Sequence, residues 1–160
     1  MTDYFHLAPL PVLPGSIIQA GNWGRIIKRS EWVHQYAIRE MVLEGWRLKN
    51  LPEMPSRLES AFVFLSTDAA VSYRTSIGGF ANHILYRVRL ADPGCPSHIT
   101  DHRLCGPVAE LRPDWASLYW ARWESQPAAV PGIDLGSDEV RLQCREMLTL
   151  SNLIIEERLD

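Results

Sequence analysis

The alternation of apolar and polar residues is clearest in residues 83–90, where it predicts a strand. Apolar positions alternate there with positions that include two arginines: Ile84, Tyr86, Val88 and Leu90 against Leu85, Arg87 and Arg89. Such a strand has one apolar face and one charged face. Shorter apolar runs predict four more strands, at residues 4–8, 61–65, 147–150 and 153–155. Residues 61–65 are apolar throughout, which predicts burial on both faces.

Helical spacing predicts three helices between these strands. The first begins at Ser30 as N-cap and ends before Pro52, with apolar residues at three- and four-residue steps: Trp32, Val33, Tyr36, Ala37, Met41 and Trp46. Ser66 caps a short helix that contains Tyr73 and stops at Gly78-Gly79. Asp114 caps a third helix through Trp123, and residues 126–136 form a loop. Because strands outnumber helices without strict alternation, the expected class is α+β.

Composition narrows the possible classes of protein. A chain of 160 residues with 46% hydrophobic content predicts one domain over residues 1–160. The net charge of −3 and the pI near 5.9 do not favour a nucleic-acid-binding surface. No apolar run reaches the roughly 18 residues of a membrane span, and the first residues do not resemble a signal peptide. Three cysteines then predict reduced thiols and a cytoplasmic location without a membrane partner.

Two thiols and two imidazoles lie within a short segment: Cys95, His98, His102 and Cys105. These are zinc ligand types, but zinc knuckles place their ligand pairs about a dozen residues apart. The favoured interpretation is a solvated loop with two incidental histidines, and no metal is expected. A small structural zinc site is the alternative.

Two segments carry arginines that are suited to phosphate. Gly21-Asn22-Trp23-Gly24-Arg25 forms a glycine-rich loop after a strand, although it lacks the full P-loop and dinucleotide patterns, and a surface turn is the alternative. Arg57 follows Pro55 and Ser56 at the entry to the buried strand. It is suited to a bidentate contact with phosphate or carboxylate, or to pairing with Glu53 or Glu59.

Three single residues, taken in order, add a more specific signal. His6 lies in the opening strand, Tyr73 in the short helix and Glu146 at the start of the penultimate strand. Around them are Tyr-Phe-His with a following Leu-Pro-Gly turn, Pro-Glu-Met-Pro-Ser-Arg-Leu-Glu-Ser-Ala-Phe at residues 52–62, and Tyr119-Trp120 with a later Glu-Met-Leu-Thr strand. Together they resemble the diphtheria-toxin-like (His-Tyr-Glu) branch of the ADP-ribosyltransferases, and in detail an uncharacterised bacterial family of this kind.

The resemblance implies a split antiparallel sheet with flanking helices and NAD as substrate. His6 would donate to a ribose hydroxyl, Tyr73 would stack on nicotinamide, and Glu146 would face the anomeric carbon of the nicotinamide ribose. The implied NAD-contacting residues are His6, Leu7, Asn22, Arg25, Arg57, Phe64 and Tyr73. Arg57 is expected to hold the pyrophosphate in preference to Arg25.

Departures from the family pattern leave alternatives open. Leu7 stands where many relatives have glycine, and Cys144 stands where arginine-modifying toxins have a second glutamate. Glu139 or Glu156 is the alternative catalytic carboxylate.

The expected function is transfer of ADP-ribose from NAD to an unknown protein or nucleic acid by a toxin, effector or phage-conflict factor. The alternatives are modification of a small molecule such as an antibiotic, removal of an RNA 2′-phosphate, and a non-catalytic module that binds a partner through its tryptophans.

Overall fold

A computed structural model of the chain describes residues 3–30, 34–76, 80–105, 114–126 and 134–160. These residues form a mixed structure around one seven-stranded antiparallel sheet with the order β2-β7-β4-β1-β3-β6-β5. Its strands are β1 (Tyr4–Ala8), β2 (Ile17–Ile18), β3 (Ala61–Phe64), β4 (Ile84–Leu90), β5 (Ser97–Asp101), β6 (Arg145–Thr149) and β7 (Leu153–Arg158). The α+β class expected from the sequence is confirmed at this level.

Five α-helices lie among the described residues, together with two 3₁₀ turns. The helices are α1 (Asn22–Arg29), α2 (Ala37–Asn50), α3 (Thr67–Ser76), α4 (Trp115–Trp120) and α5 (Asp138–Leu142), and the turns are His102–Cys105 and Trp123–Ser125. None of these helices has both the length and the apolar character needed to cross a bilayer. The predicted cap of α3 is confirmed, because Ser66 Oγ accepts from the N–H of Ala69 at 3.1 Å. The predicted stop at Gly78-Gly79 lies outside the described residues.

The glycine-rich loop expected at residues 21–25 is wrong, since these residues begin helix α1. Gly21 has a φ of 79° and lies just before the helix. At Gly24 a Cβ atom would lie 1.9 Å from the carbonyl oxygen of Leu58. Glycine is therefore required at position 24 because the helix backbone packs directly on the segment that carries Arg57.

The helix predicted to begin at Ser30 begins at Ala37 instead. Ser30 ends α1, where its N–H bonds to the carbonyl of Ile26 and its hydroxyl donates to the carbonyl of Ile27. Met41, expected on the buried stripe, is 56% exposed. The buried side chains of α2 include two charged residues that an apolar pattern does not select: Ala37, Glu40, Leu43 and Arg47. Residues 31–33, including Trp32 and Val33, lie outside the described residues.

The solvated loop expected around His98 is also wrong, since His98 lies in β5 and is buried. Two of its polar side chains are satisfied by one acceptor, the carbonyl oxygen of Tyr119. His98 Nε2 lies 3.0 Å from it and Thr100 Oγ1 donates to it at 2.9 Å. A strand with buried polar residues lacks the apolar alternation by which strands are recognised.

The sheet has its fewest register pairs between β1 and β3, which share the single pair Phe5↔Phe64. By contrast, β1 is paired with β4 at five positions and β3 with β6 at four. Successive residues of β6 enter different core clusters. Leu148 packs with residues of α2 and α4, whereas Met147 packs with β4 and β7. Glu146 has the same strand parity as Leu148, so it faces the α2 and α4 side of the sheet.

Candidate functional site

A cavity of about 460 Å³ lies beside the gap between β1 and β3, within the size range of small-molecule sites. It combines aromatic rings with a few charged groups. Its walls are formed by His6, Leu7, Trp23, His34, Gln35, Tyr36, Arg39, Arg57, Phe62, Phe64, Tyr73, Phe80 and Glu146. The three residues selected from the sequence, His6, Tyr73 and Glu146, therefore lie around one cavity although they belong to β1, α3 and β6.

Strand register places the cavity side chains of the sheet. Phe64 in β3 is paired with Phe5 on one side and with Glu146 on the other. Directly opposed residues on antiparallel strands have Cβ atoms roughly 4.5–5.5 Å apart and point to the same face. The side chains of Glu146 and Phe64 therefore leave the sheet next to each other and on the same face.

His6 is held in one orientation by the gap in the sheet. Its Nδ1 lies 2.8 Å from the carbonyl oxygen of Phe62, which can only accept, so Nδ1 carries the proton. Burial lowers the pKa of this imidazole, which favours the neutral ring. In a neutral ring with Nδ1–H, Nε2 is an acceptor. The sequence led us to expect His6 as a hydrogen-bond donor, whereas Nε2 of this neutral ring is able only to accept.

The peptide groups of Leu7 face the same gap. Its register partner Leu85 donates its N–H to Asp160 Oδ1 at 2.8 Å and accepts from the N–H of Leu159 at 2.9 Å. Leu85 therefore turns its backbone groups away from β1, and in an antiparallel ladder Leu7 must turn its own toward β3. The register of β1 with β3 ends at Phe5↔Phe64, so Leu7 has no ladder partner on that side among the described residues.

Tyr73 belongs to an aromatic wall of the cavity. Its ring centroid lies 5.1 Å from that of Phe64, 5.0 Å from that of Phe80 and 4.9 Å from that of His102. These distances are typical of tilted and edge-to-face pairs. Burial raises the pKa of Tyr73, so it remains a neutral phenol. The wall is suited to a flat, weakly polar ring.

Glu146 is 5% exposed and is held by two donors on one oxygen. Oε1 lies 3.3 Å from Arg57 Nη1 and 3.4 Å from the hydroxyl of Tyr119. Arg57 Nη1 also donates to the Tyr119 hydroxyl, so the three groups form a closed triangle. The alternative carboxylates do not line the cavity: Glu139 is exposed on α5, and Glu156 lies near Arg87 and Arg89 on the sheet surface.

Arg57 lines the cavity, but its guanidinium is engaged inside the protein. Nε donates to Glu40 Oε2 at 2.9 Å and Nη2 to Glu40 Oε1 at 3.3 Å. The expected pairing with Glu53 or Glu59 is wrong, because the partner is Glu40 on α2. An arginine that already neutralises Glu40 and Glu146 is poorly placed to bind a pyrophosphate, so we revise that expectation for Arg57.

The other predicted phosphate contacts lie away from the cavity walls. The Arg25 guanidinium donates to the side chain of Asn22 and, at 3.2 Å, to the carbonyl oxygen of Ala20. Neither Asn22 nor Arg25 lines the cavity. Two of the seven residues expected to contact NAD are thus not brought to it, while His6, Leu7, Arg57, Phe64 and Tyr73 are.

Sequence reasoning missed a second aromatic cluster at the cavity. Trp23 and His34 meet edge to face with centroids 5.1 Å apart, and the Arg39 guanidinium lies 4.3 Å from the centroid of Tyr36. Trp23 Nε1 has no hydrogen-bond partner among the described residues. Arg39 donates to Glu40 and to the carbonyl of Cys105, and its side chain is 13% exposed. Trp23 was not selected from the sequence as a cavity residue, because the adjoining glycines suggested a loop.

The cysteine and histidine cluster does not assemble into a metal centre within the described ranges. His98 Nε2 is engaged by a carbonyl, Cys95 Sγ lies 3.4 Å from Asp92 Oδ2, and Cys105 is buried beside Arg39 and Arg57. No group of three or more metal-ligating side chains is found in those ranges.

Comparison with known proteins does not assign a family. No family model matches the chain, and no curated protein matches it. The resemblance rests on the residues quoted above, and any function must be argued from the cavity itself.

Proposed function

We propose that this protein is an NAD-dependent ADP-ribosyltransferase that transfers ADP-ribose to a macromolecular acceptor, a protein or a nucleic acid. The observation that carries the proposal is the convergence of His6, Tyr73 and Glu146 on one cavity. Each comes from a different element, and their order matches the His-Tyr-Glu pattern. A chance resemblance would not require the three residues to line one cavity.

The proposed reaction breaks the bond between the nicotinamide nitrogen and C1′ of its ribose. The bonding electrons leave with nicotinamide, and the sugar acquires oxocarbenium character. An acceptor nucleophile then bonds to C1′ and loses a proton. A carboxylate fixed beside C1′ stabilises the positive charge that develops there, and such preorganised charge is among the largest catalytic effects. Glu146 supplies this carboxylate.

The remaining cavity groups are suited to hold the nicotinamide half of NAD. Nε2 of neutral His6 accepts from a ribose hydroxyl, and the ring of Tyr73 packs on nicotinamide beside Phe64. The N–H and C=O of Leu7, directed into the gap between β1 and β3, match the acceptor and donor of a carboxamide. Because backbone groups serve this purpose, leucine in place of glycine does not remove the contact.

Incubation of the protein with NAD labelled in its ADP-ribose part and with cell lysate tests the proposal. We expect label on a macromolecule, and its loss in Glu146→Gln by about 10²–10³-fold in rate. Glu156→Gln is the matched control, because Glu156 is a carboxylate on the sheet surface away from the cavity. Equal labelling by wild type and Glu146→Gln would remove Glu146 from the mechanism.

The same experiment separates the alternatives. Free modified product without labelled macromolecule would indicate small-molecule modification. A protein that binds NAD in calorimetry but labels nothing would be a non-catalytic module. Partner binding through the tryptophans is not favoured, since Trp115 and Trp120 are buried in the core cluster of α2 and α4.

A further inference from the structure

Glu40 does not line the cavity, yet it is bonded to two arginines that do. Its side chain has no exposed surface. It accepts from Arg57 through both carboxylate oxygens and from Arg39 Nη2 and Nε at 2.8 and 3.2 Å. A buried carboxylate is costly unless it is paired and hydrogen-bonded, and within the described part of the chain each hydrogen bond to the Glu40 carboxylate comes from a cavity arginine.

Arg57 connects Glu40 to Glu146, because its guanidinium donates hydrogen bonds to both carboxylates. A guanidinium is planar, so two bonds along its Nε and Nη2 edge fix the direction of the third nitrogen. That nitrogen, Nη1, is the one that meets Tyr119 and Glu146. Glu40 on α2 therefore sets the direction in which Arg57 Nη1 donates to Glu146.

The donors at Glu146 act on one oxygen only. Arg57 and Tyr119 both approach Oε1, and among the described residues Oε2 has no hydrogen-bond partner. Without Glu40, the positive charge of Arg57 would be balanced by Glu146 alone. The guanidinium would then swing onto Glu146 and engage both oxygens, because the bidentate arrangement is the stronger one.

We propose that Glu40 is a positioning residue: by holding Arg57 along one edge, it keeps Oε2 of Glu146 open to the hydroxyl of the nicotinamide ribose. This inference rests on the proposed function for its substrate. It predicts that loss of Glu40 slows bond cleavage more than it weakens NAD binding, because the lost contact with the ribose hydroxyl is only one of several contacts to NAD.

Hydrolysis of NAD with water as acceptor gives the kinetic test without knowledge of the natural target. For Glu40→Gln we expect kcat to fall on the order of 100-fold and KM for NAD to rise by a clearly smaller factor. Glu44→Gln is the matched control one turn along α2, because Glu44 pairs with Arg47 and Ser56 and does not touch Arg57. Glu40→Asp, which retains the charge, should recover part of kcat. Equal kcat values for Glu40→Gln and Glu44→Gln would overturn the proposal.

Crystal structures of wild type and Glu40→Gln test the geometry independently of turnover. We expect Arg57 to rotate and Nη1 or Nη2 to approach Oε2 of Glu146. An unchanged Arg57 would overturn the proposal even if NAD is cleaved. If the wild-type protein does not cleave NAD, the proposed function fails, while the position of Arg57 still decides the role of Glu40. Should Glu40→Gln not fold, Glu40→Asp is compared instead: its shorter side chain should let Arg57 move toward Glu146 by a smaller distance, and an unmoved Arg57 would again overturn the proposal.

Discussion

Helix α2 carries two glutamate–arginine clusters on neighbouring turns, and they differ in depth. Glu44 pairs with Arg47 at 2.6 Å, and its side chain is 22% exposed, whereas the side chain of Glu40 beside Arg57 is fully buried. Arg47 also donates to the carbonyls of Pro52 and Met54, both at 2.9 Å. We call Glu44 with Arg47 the outer cluster, and Glu40 with Arg57 and Arg39 the inner cluster. The outer cluster thus fixes the chain after α2, while the arginines of the inner cluster line the cavity.

The comparison shows that residue type and spacing do not decide what an ion pair does. In the outer pair, water reaches Glu44 and screens its charge, while buried Arg47 is also satisfied by two carbonyl oxygens, so the pair mainly holds the chain after α2. In the interior, each charge depends on its protein partners, so a change in one is transmitted to the others. The same two residue types therefore support the backbone in one cluster and a reactive carboxylate in the other.

Neutralisation of the two glutamates should give the largest difference between the clusters. Glu40→Gln leaves buried Arg57 and Arg39 without their carboxylate, and we expect a loss of about 3–5 kcal/mol in the free energy of unfolding. Glu44→Gln should cost about 1 kcal/mol or less, because Arg47 keeps its carbonyl partners. Urea denaturation at neutral pH measures both. Similar losses would contradict the distinction by depth.

Lowering the pH should reveal the next largest effect, a loss of folding stability that depends on the inner cluster. Burial alone would raise the pKa of Glu40, but Arg57 and Arg39 outweigh it and lower the pKa from 4.5 to about 2. A lowered folded-state pKa stabilises the protein fully above 4.5, and this contribution, about 3 kcal/mol, is lost as the pH falls toward 2. Unfolding measured from pH 6 to pH 2 should show this dependence in wild type. Glu40→Gln should lack it, and retention of the full slope there would assign the effect to other groups.

Tyr119→Phe should have a smaller effect on the inner cluster. The change removes the hydroxyl that accepts from Arg57 and donates to Glu146, at a cost of about 1–2 kcal/mol in folding stability. Thermal unfolding measures it, with Tyr36→Phe outside the cluster as control. If Tyr119→Phe is as stable as wild type, the triangle at Glu146 does not contribute to folding.

Gly45→Ala on the same helix should give the smallest change, and with the opposite sign. A Cβ atom at position 45 would meet no atom within 4 Å. Alanine should therefore stabilise α2 by about 1 kcal/mol without altering either cluster. Denaturation of the single variant and of its combination with Glu40→Gln should give additive effects. A clear departure from additivity would mean that helix stability and the inner cluster are coupled.

The apolar patterns of the sequence determined the main strands, and the polar residues Ser66-Thr67-Asp68 indicated the cap of α3. They succeed at Tyr4–Ala8 and Ile84–Leu90 because a short run of apolar and aromatic residues is visible within a few positions of the chain. They failed at Ser97–Asp101 and at the start of α2, where buried polar side chains depend on partners far along the sequence. The order of His6, Tyr73 and Glu146 was visible in the sequence, and the cavity they share was not.

The amino-acid sequence by itself determined the α+β class and the residue types available for chemistry. Only the tertiary structure decided that Arg57 pairs with Glu40 and not with Glu53 or Glu59, and that Trp23 and Arg39 line the cavity while Asn22 and Arg25 do not. The physical reason is that hydrophobic periodicity is encoded within a few residues, whereas the partner of a buried charge is chosen by packing between distant elements. A buried charge must find that partner wherever the fold places one.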